Sequence, residues 1–185
     1  MPASVSRLTV PAYLRGLRVL AHYLDKAAAH AQATGGDPQT LVGARLAPDM
    51  LPLSGQIQRA SDTSKNAIAR LIGGESPSME DNEATLDELK ARVMRTLAYI
   101  EAADPAALDA GEAREITLRA GDTSRSFDGL DYVLDFALPN FDFHVAMTHA
   151  ILRNQGVAVG KLDYLGAAPQ AAAAGDAPPR RAQSL

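Results

Sequence analysis

The 185-residue sequence predicts an all-α fold, a four-helix bundle with a small β-hairpin between the third and fourth helices. Three observations carry that reading. Apolar residues recur at the three-and-four spacing of a helical face in four separate segments. Glycine and proline clusters punctuate the chain between them. One short stretch, from Glu115 to Phe127, changes to β-favouring residues around a two-residue turn.

The first helix is read over Val10 to Ala31, where Val10, Leu14, Leu17, Ala21, Leu24, Ala28 and Ala31 form a stripe. Thr34-Gly35-Gly36-Asp37-Pro38 ends it, because glycine supplies a left-handed cap and proline cannot continue the ladder. A loop should follow. Pro48 and Asp49 suit the opening turn of a second helix whose stripe is Met50, Leu53, Ile57, Ala60, Ile68 and Leu71, stopped by Gly73-Gly74. Thr85, with Glu88 three positions on, predicts a capped third helix carrying Leu86, Leu89, Val93, Leu97 and Ile100 and ending near Asp104-Pro105.

Ile116-Thr117-Leu118-Arg119 and Ser124-Arg125-Ser126-Phe127 flank Gly121-Asp122 and predict the hairpin. Leu130 to Ala137 reads as helix again. Pro139 should break or kink it, with Asn140 capping a new segment that runs to Gln155 and has Gly156 just beyond its end. Lys161 to Gly166 mixes charge with large apolar groups and should dock on the bundle as a C-terminal strap. The bundle domain is thus expected over residues 1–166. Residues 167–185, rich in Ala, Pro, Gly and Gln, should be a disordered tail.

Composition excludes several classes of function. There is no cysteine, so disulfides, thiolate zinc sites and cysteine nucleophiles are ruled out, and a reducing cytoplasmic location is expected. Eighteen Lys and Arg against 22 Asp and Glu give a net charge of −4, which offers no global field for nucleic acid. No stretch approaches the roughly 20 apolar residues of a membrane span. Neither nucleic acid nor membrane is expected as a partner.

Histidine is the natural place to look for chemistry. His144 and His149 are five apart, about 140° around a helix, and cannot share a metal as an i, i+4 pair does. By the same geometry His22 and His30 fall away from the first helix's stripe and should be solvated, as should Asp62 on the second helix. His144 differs, because Phe141, Thr148, Ile151 and Leu152 share its face and turn it inward. A buried imidazole needs partners, and Ser61, Ser64 and Gln56 on the second helix, with Thr148 beside it, are the candidates for a small polar ligand pocket. A Ser–His nucleophile finds no Gly-x-Ser-x-Gly elbow, and Gly156 to Lys161 has the wrong spacing for a phosphate loop.

Leu138-Pro139-Asn140-Phe141-Asp142-Phe143-His144, Ile151-Leu152-Arg153-Asn154, Gly156-Val157 and Gly160-Lys161-Leu162-Asp163-Tyr164-Leu165-Gly166 closely resemble an uncharacterised bacterial family. It is the domain-of-unknown-function family nineteen ninety-three, of the DinB-like superfamily. Arg45 to Met50 and Ala69-Arg70-Leu71 resemble it as well, so the likeness runs from about Val10 to Gly166. The resemblance implies a DinB-like four-helix bundle that forms a homodimer. It also implies a superfamily in which some members bind a metal through one histidine on the second helix and a His-x-x-x-His pair on the last, and some are thiol-dependent transferases.

Here only His144 matches that pattern, since position 148 is threonine and the second helix has no histidine. The expectation is therefore a dimeric ligand-binding or structural module with no cofactor. The alternative is a divergent metal-dependent transferase or hydrolase, with a divalent metal on His144 alongside Gln56 or Asp49.

Overall fold

The computed structural model describes residues 4–166. The tail expected over residues 167–185 lies outside the described residues. Four long helices make the bundle: α1 (Val5–Thr34), α3 (Leu53–Ile72), α4 (Leu86–Glu101) and α7 (Leu138–Asn154). Helix α1 packs chiefly on α4 and also on α7, while α3 packs on α7 and α4, so the four close a ring around one core. Short helices α2 (Pro38–Gly43), α5 (Pro105–Asp109), α6 (Gly129–Asp131) and α8 (Lys161–Tyr164) fill the connections.

Helix α1 is longer than its apolar stripe, and its buried face is rotated from the one the sequence suggests. Tyr13, Leu17, Leu20, Tyr23, Leu24 and Ala27 are buried, whereas Val10, Leu14 and Ala21 are half-buried and Ala28 is exposed. The reason is that α1 is held between two neighbours, so more than one stripe along it is apolar. At its crossing with α7, a Cβ on Gly16 would lie 2.4 Å from Cε1 of Phe141, and Tyr13 meets the same ring edge-on at 5.0 Å. Only glycine admits that ring. Gly35, at φ 66°, closes the helix as expected.

The loop expected after α1 contains the short helix α2, opened by Asp37, whose carboxylate accepts from the Gln39 N–H. The second long helix begins at Leu53 instead of Pro48. Pro52 has no N–H to give the carbonyl of Pro48, so a ladder started there could not close its first turn. Pro52 is instead extended, at φ −69° and ψ 172°, and Asp49 sits in a turn outside the helix. Helix α4 opens with the reciprocal Thr85–Glu88 cap read from the sequence: Thr85 Oγ1 accepts from the Glu88 N–H at 3.2 Å, and Glu88 accepts from the Thr85 N–H at 2.9 Å.

Strands β1 (Ile116–Ala120) and β2 (Thr123–Phe127) pair antiparallel in the register Ile116↔Phe127 to Ala120↔Thr123, around Gly121 at φ 56°. Ile116 and Phe127 are buried at its root, so the ribbon is anchored at one end and projects over α3.

Pro139 does not break the last helix. Tyr132–Ala137 is a π-helical segment that runs directly into α7, with the Leu138 N–H bonding the carbonyl of Val133, five residues back. Widening the turn before Pro139 accommodates a residue that has no N–H and whose ring would clash in a tight ladder. Asn140 consequently lies inside α7, where its amide donates to Thr63 Oγ1 at 3.0 Å and does not cap. The far end of α7 is as expected, with Gly156 left-handed at φ 84°.

Arg92 of α4 is fully buried. Its guanidinium donates to Asp62 at 2.8 Å, Asp81 at 2.9 Å, Glu83 at 3.0 Å and the Glu80 carbonyl at 3.0 Å. Asp62, which the sequence places in solvent, is only 20% exposed and also pairs with Lys65 at 3.1 Å. This network fastens the α3–α4 connection to the bundle. Replacing Arg92 by Met takes the close cation from buried Glu83 and one of the cations from Asp62, and should cost about 3 kcal/mol. Urea denaturation measures that loss, which should narrow in acid as Glu83 is protonated, burial opposing the charge on its carboxyl but the bonds from Gln58 and Arg92 holding it below the ordinary range.

Candidate functional site

Helix α3 presents Gln56, Ser61, Thr63, Ser64 and Lys65 to the interior, and its neighbours supply most of their partners. Gln56 sits one turn into the helix. Its amide Nε2 donates to the Leu51 carbonyl at 3.2 Å, which turns Oε1 toward α7. There it meets His144 Nδ1 at 2.8 Å. Amide oxygen only accepts, so Nδ1 carries the proton and the imidazole lone pair is on Nε2. His144 retains 8% of its surface and lies edge-on to Phe143, a ring that is 51% exposed. Burial, reinforced by the charge of Arg59, pushes the imidazole down to about 4.

The structure unites part of the predicted polar set. Gln56 and His144 come together, while the Thr148 hydroxyl donates to the His144 carbonyl of its own helix at 2.9 Å. The two serines bond elsewhere. Ser64 donates to the carbonyls of Ala60 and Ser61, both at 3.0 Å, and the Ser61 hydroxyl meets that of Thr96 on α4 at 3.1 Å. Their small size lets α4 approach α3 closely, with the Ser64 hydroxyl satisfied within its own helix and that of Ser61 by α4.

The other histidines are not free in solvent. His22 Nε2 lies 2.7 Å from Asp163 of α8, and His30 is half-buried. Asp163 also takes the Lys26 ammonium at 2.8 Å and the Gly160 N–H at 2.8 Å. Burial opposes the charge on Asp163, but the bonds from Lys26, His22 and Gly160 outweigh it and hold the carboxyl far below its ordinary range. His149 turns away from His144 to the Tyr23 hydroxyl, 2.7 Å from its Nδ1. The strap therefore docks as expected, through Asp163 and through Tyr164, whose carbonyl accepts from Arg15 and whose ring meets His149. Neither that contact nor Arg92 had a signal in the sequence, because each joins segments far apart in the chain.

The sequence comparisons agree with this architecture. The chain matches the profile of the domain of unknown function DUF1993 over residues 6–165. It belongs to that family. A crystal structure of a DinB family member from Shewanella denitrificans is similar to this DUF1993 chain, with a TM-score of 0.79, at 36% identity, over 94% of this chain and 95% of that one. The fold is thus a DinB-like helical bundle. None of the curated proteins matches the chain.

A three-histidine metal does not fit these residues. The Gln56 amide is spent on Leu51 and His144, the Thr148 hydroxyl is spent on the His144 carbonyl, and Asp49 lies in the turn before α3. Only His144 Nε2 remains to donate. Among the described residues no three His, Cys, Asp or Glu side chains are grouped to hold a metal.

The His144 environment predicts a titration. Folded His144 should take up its proton near pH 4, while the unfolded chain does so near 6.5. Between those values the unfolded state binds the extra proton, so stability falls as pH drops, by about 1.4 kcal/mol per unit from this residue. NMR of the imidazole should give that low midpoint, and a midpoint near 6.5 would show an open, solvated ring.

Proposed function

We propose that this protein works as a cytoplasmic homodimeric bundle, a ligand-binding or structural module, rather than by metal chemistry. One observation carries this reading. Gln56 stands across from His144, and their hydrogen bond closes with Leu51 and Thr148 into a chain of satisfied groups. A catalytic or metal-binding imidazole needs further groups converging on its open nitrogen. This one is a pin between α3 and α7.

The outer face of α7 supports self-association. Phe143, Ala146, Met147 and Ala150 fall within one helical stripe, the phenylalanine exposed and the others half-buried. Small alanines let two helices approach, and Arg15 with Asp142, a loose pair at 3.9 Å, places both signs of charge at the margin. A two-fold interface needs such a self-complementary patch. No helix among the described residues is long and apolar enough to cross a membrane, so this face is not part of a membrane-spanning helix.

Protein purified without an affinity tag should contain no stoichiometric zinc, nickel, manganese or iron, and should sediment as a dimer at micromolar concentration. Phe143→Glu should sediment as a monomer with unchanged helical circular dichroism. Stoichiometric metal would overturn the binding reading. A wild-type monomer, or a dimer indifferent to the charge at position 143, would overturn the interface.

A further inference from the structure

Where α1 ends and α2 and α4 begin, a cleft of about 600 Å³ opens at one end of the bundle. That size is in the range of small-molecule sites, roughly 300–1,000 Å³. Its floor is aliphatic, with Ala31 of α1, Val42 of α2 and Leu86 of α4 buried and Ala28 of α1 exposed on the wall. Its rim carries charge of one sign. Asp37 and Asp87 line it, and no lysine, arginine or histidine does. Among the described residues, neither aspartate enters an ion pair. Helix α1, 30 residues long, ends here at Gly35 with no basic residue in its last turn, so the negative end of its dipole is uncompensated.

Two helix starts also border the cleft, and a helix start favours an anion unless its own side chains cap it. Both are capped. At α2 the Asp37 Oδ1 accepts from the Gln39 N–H at 3.0 Å, which leaves Oδ2 uncommitted, and Pro38 has no N–H to offer. At α4 the Thr85 hydroxyl takes the Glu88 N–H, while the Glu88 carboxylate takes those of Ala84 and Thr85. Each start therefore already holds a carboxylate, and the cleft keeps its negative sign.

We infer that this cleft binds a small aliphatic primary amine as its ammonium ion. Asp37 and Asp87 supply the counter-charge, and the amide oxygens of Gln32 and Gln39 on the same rim are further acceptors for the three N–H donors. A quaternary ammonium ion has no N–H to give and is held by aromatic rings, none of which lines this cleft. The aliphatic floor suits the carbon chain of the amine. This rests on reading the chain as a ligand-binding module but is independent of the α7 interface.

Isothermal titration of the full chain at neutral pH with butylamine, tetramethylammonium and butanol tests it. Butylamine should bind saturably at one site per chain, roughly tenfold or more tighter than either other probe, with affinity falling as salt rises. The double variant D37N/D87N removes both charges while asparagine still caps α2, and should weaken butylamine roughly tenfold with unchanged helical circular dichroism. Ala28→Phe fills the cleft from an exposed position and should weaken butylamine by a similar factor, roughly tenfold. No saturable butylamine binding, equal affinity for tetramethylammonium or butanol, or full affinity in either variant would each overturn the site. Metal content and sedimentation of the same samples report separately on the binding reading and the dimer.

Discussion

Helix α3 carries a row of polar side chains into the bundle, and each has to find a partner there, because an unpaired buried polar group costs about 1–3 kcal/mol. Gln56 finds His144, Ser61 finds Thr96, Thr63 finds Asn140, and Asp62 finds Arg92 and Lys65. Two of these partners are on α7 and two on α4. Apolar surfaces alone would tolerate a helix sliding by a turn, since leucines and alanines pack in many registers. The polar row does not, because a slide strands every donor at once. The register of both neighbours against α3 follows from this constraint, and so does the position of everything attached to them.

The consequences spread outward. With α7 fixed, Phe141 falls on Gly16 and sets the α1 crossing. The π turn then absorbs Pro139 without a break and carries Tyr132 and Phe136 under the hairpin. With α4 fixed, Arg92 collects Asp81 and Glu83 and ties down the chain between α3 and α4. At the other end Asp163 performs the same task for the strap, taking His22 and Lys26 of α1 together. In this molecule buried charge and amide groups serve assembly.

The bundle was legible in the sequence because its signals are local. A three-and-four apolar rhythm marks the helices, though it misplaces the buried face of α1, and the Thr85–Glu88 cap, Gly35, Gly73 and Gly156 as helix ends, and Gly121 in the hairpin turn each act over a few residues and are found where the sequence puts them. His144 was legible as an inward residue for the same reason. Its partner was harder to read, because Gln56, Ser61 and Ser64 are equally plausible on one helix until the register with α7 is known. Pro48 misled because Pro52 followed it, and Pro139 because a π turn leaves no mark in the apolar pattern. Pairings such as Asp62 with Arg92 or His22 with Asp163 span 30 and 141 residues and have no local signature.

The claim that polar pairing sets the helix register is tested most directly at Gln56 and His144, by a double-mutant cycle in urea with Gln56→Met, His144→Leu and both together. If the pair acts as a unit, each single change strands its buried partner, and the double variant recovers much of the loss, with a coupling of about 1–3 kcal/mol. Losses that simply add, to within roughly 0.5 kcal/mol, would contradict it and leave the apolar core to fix the register.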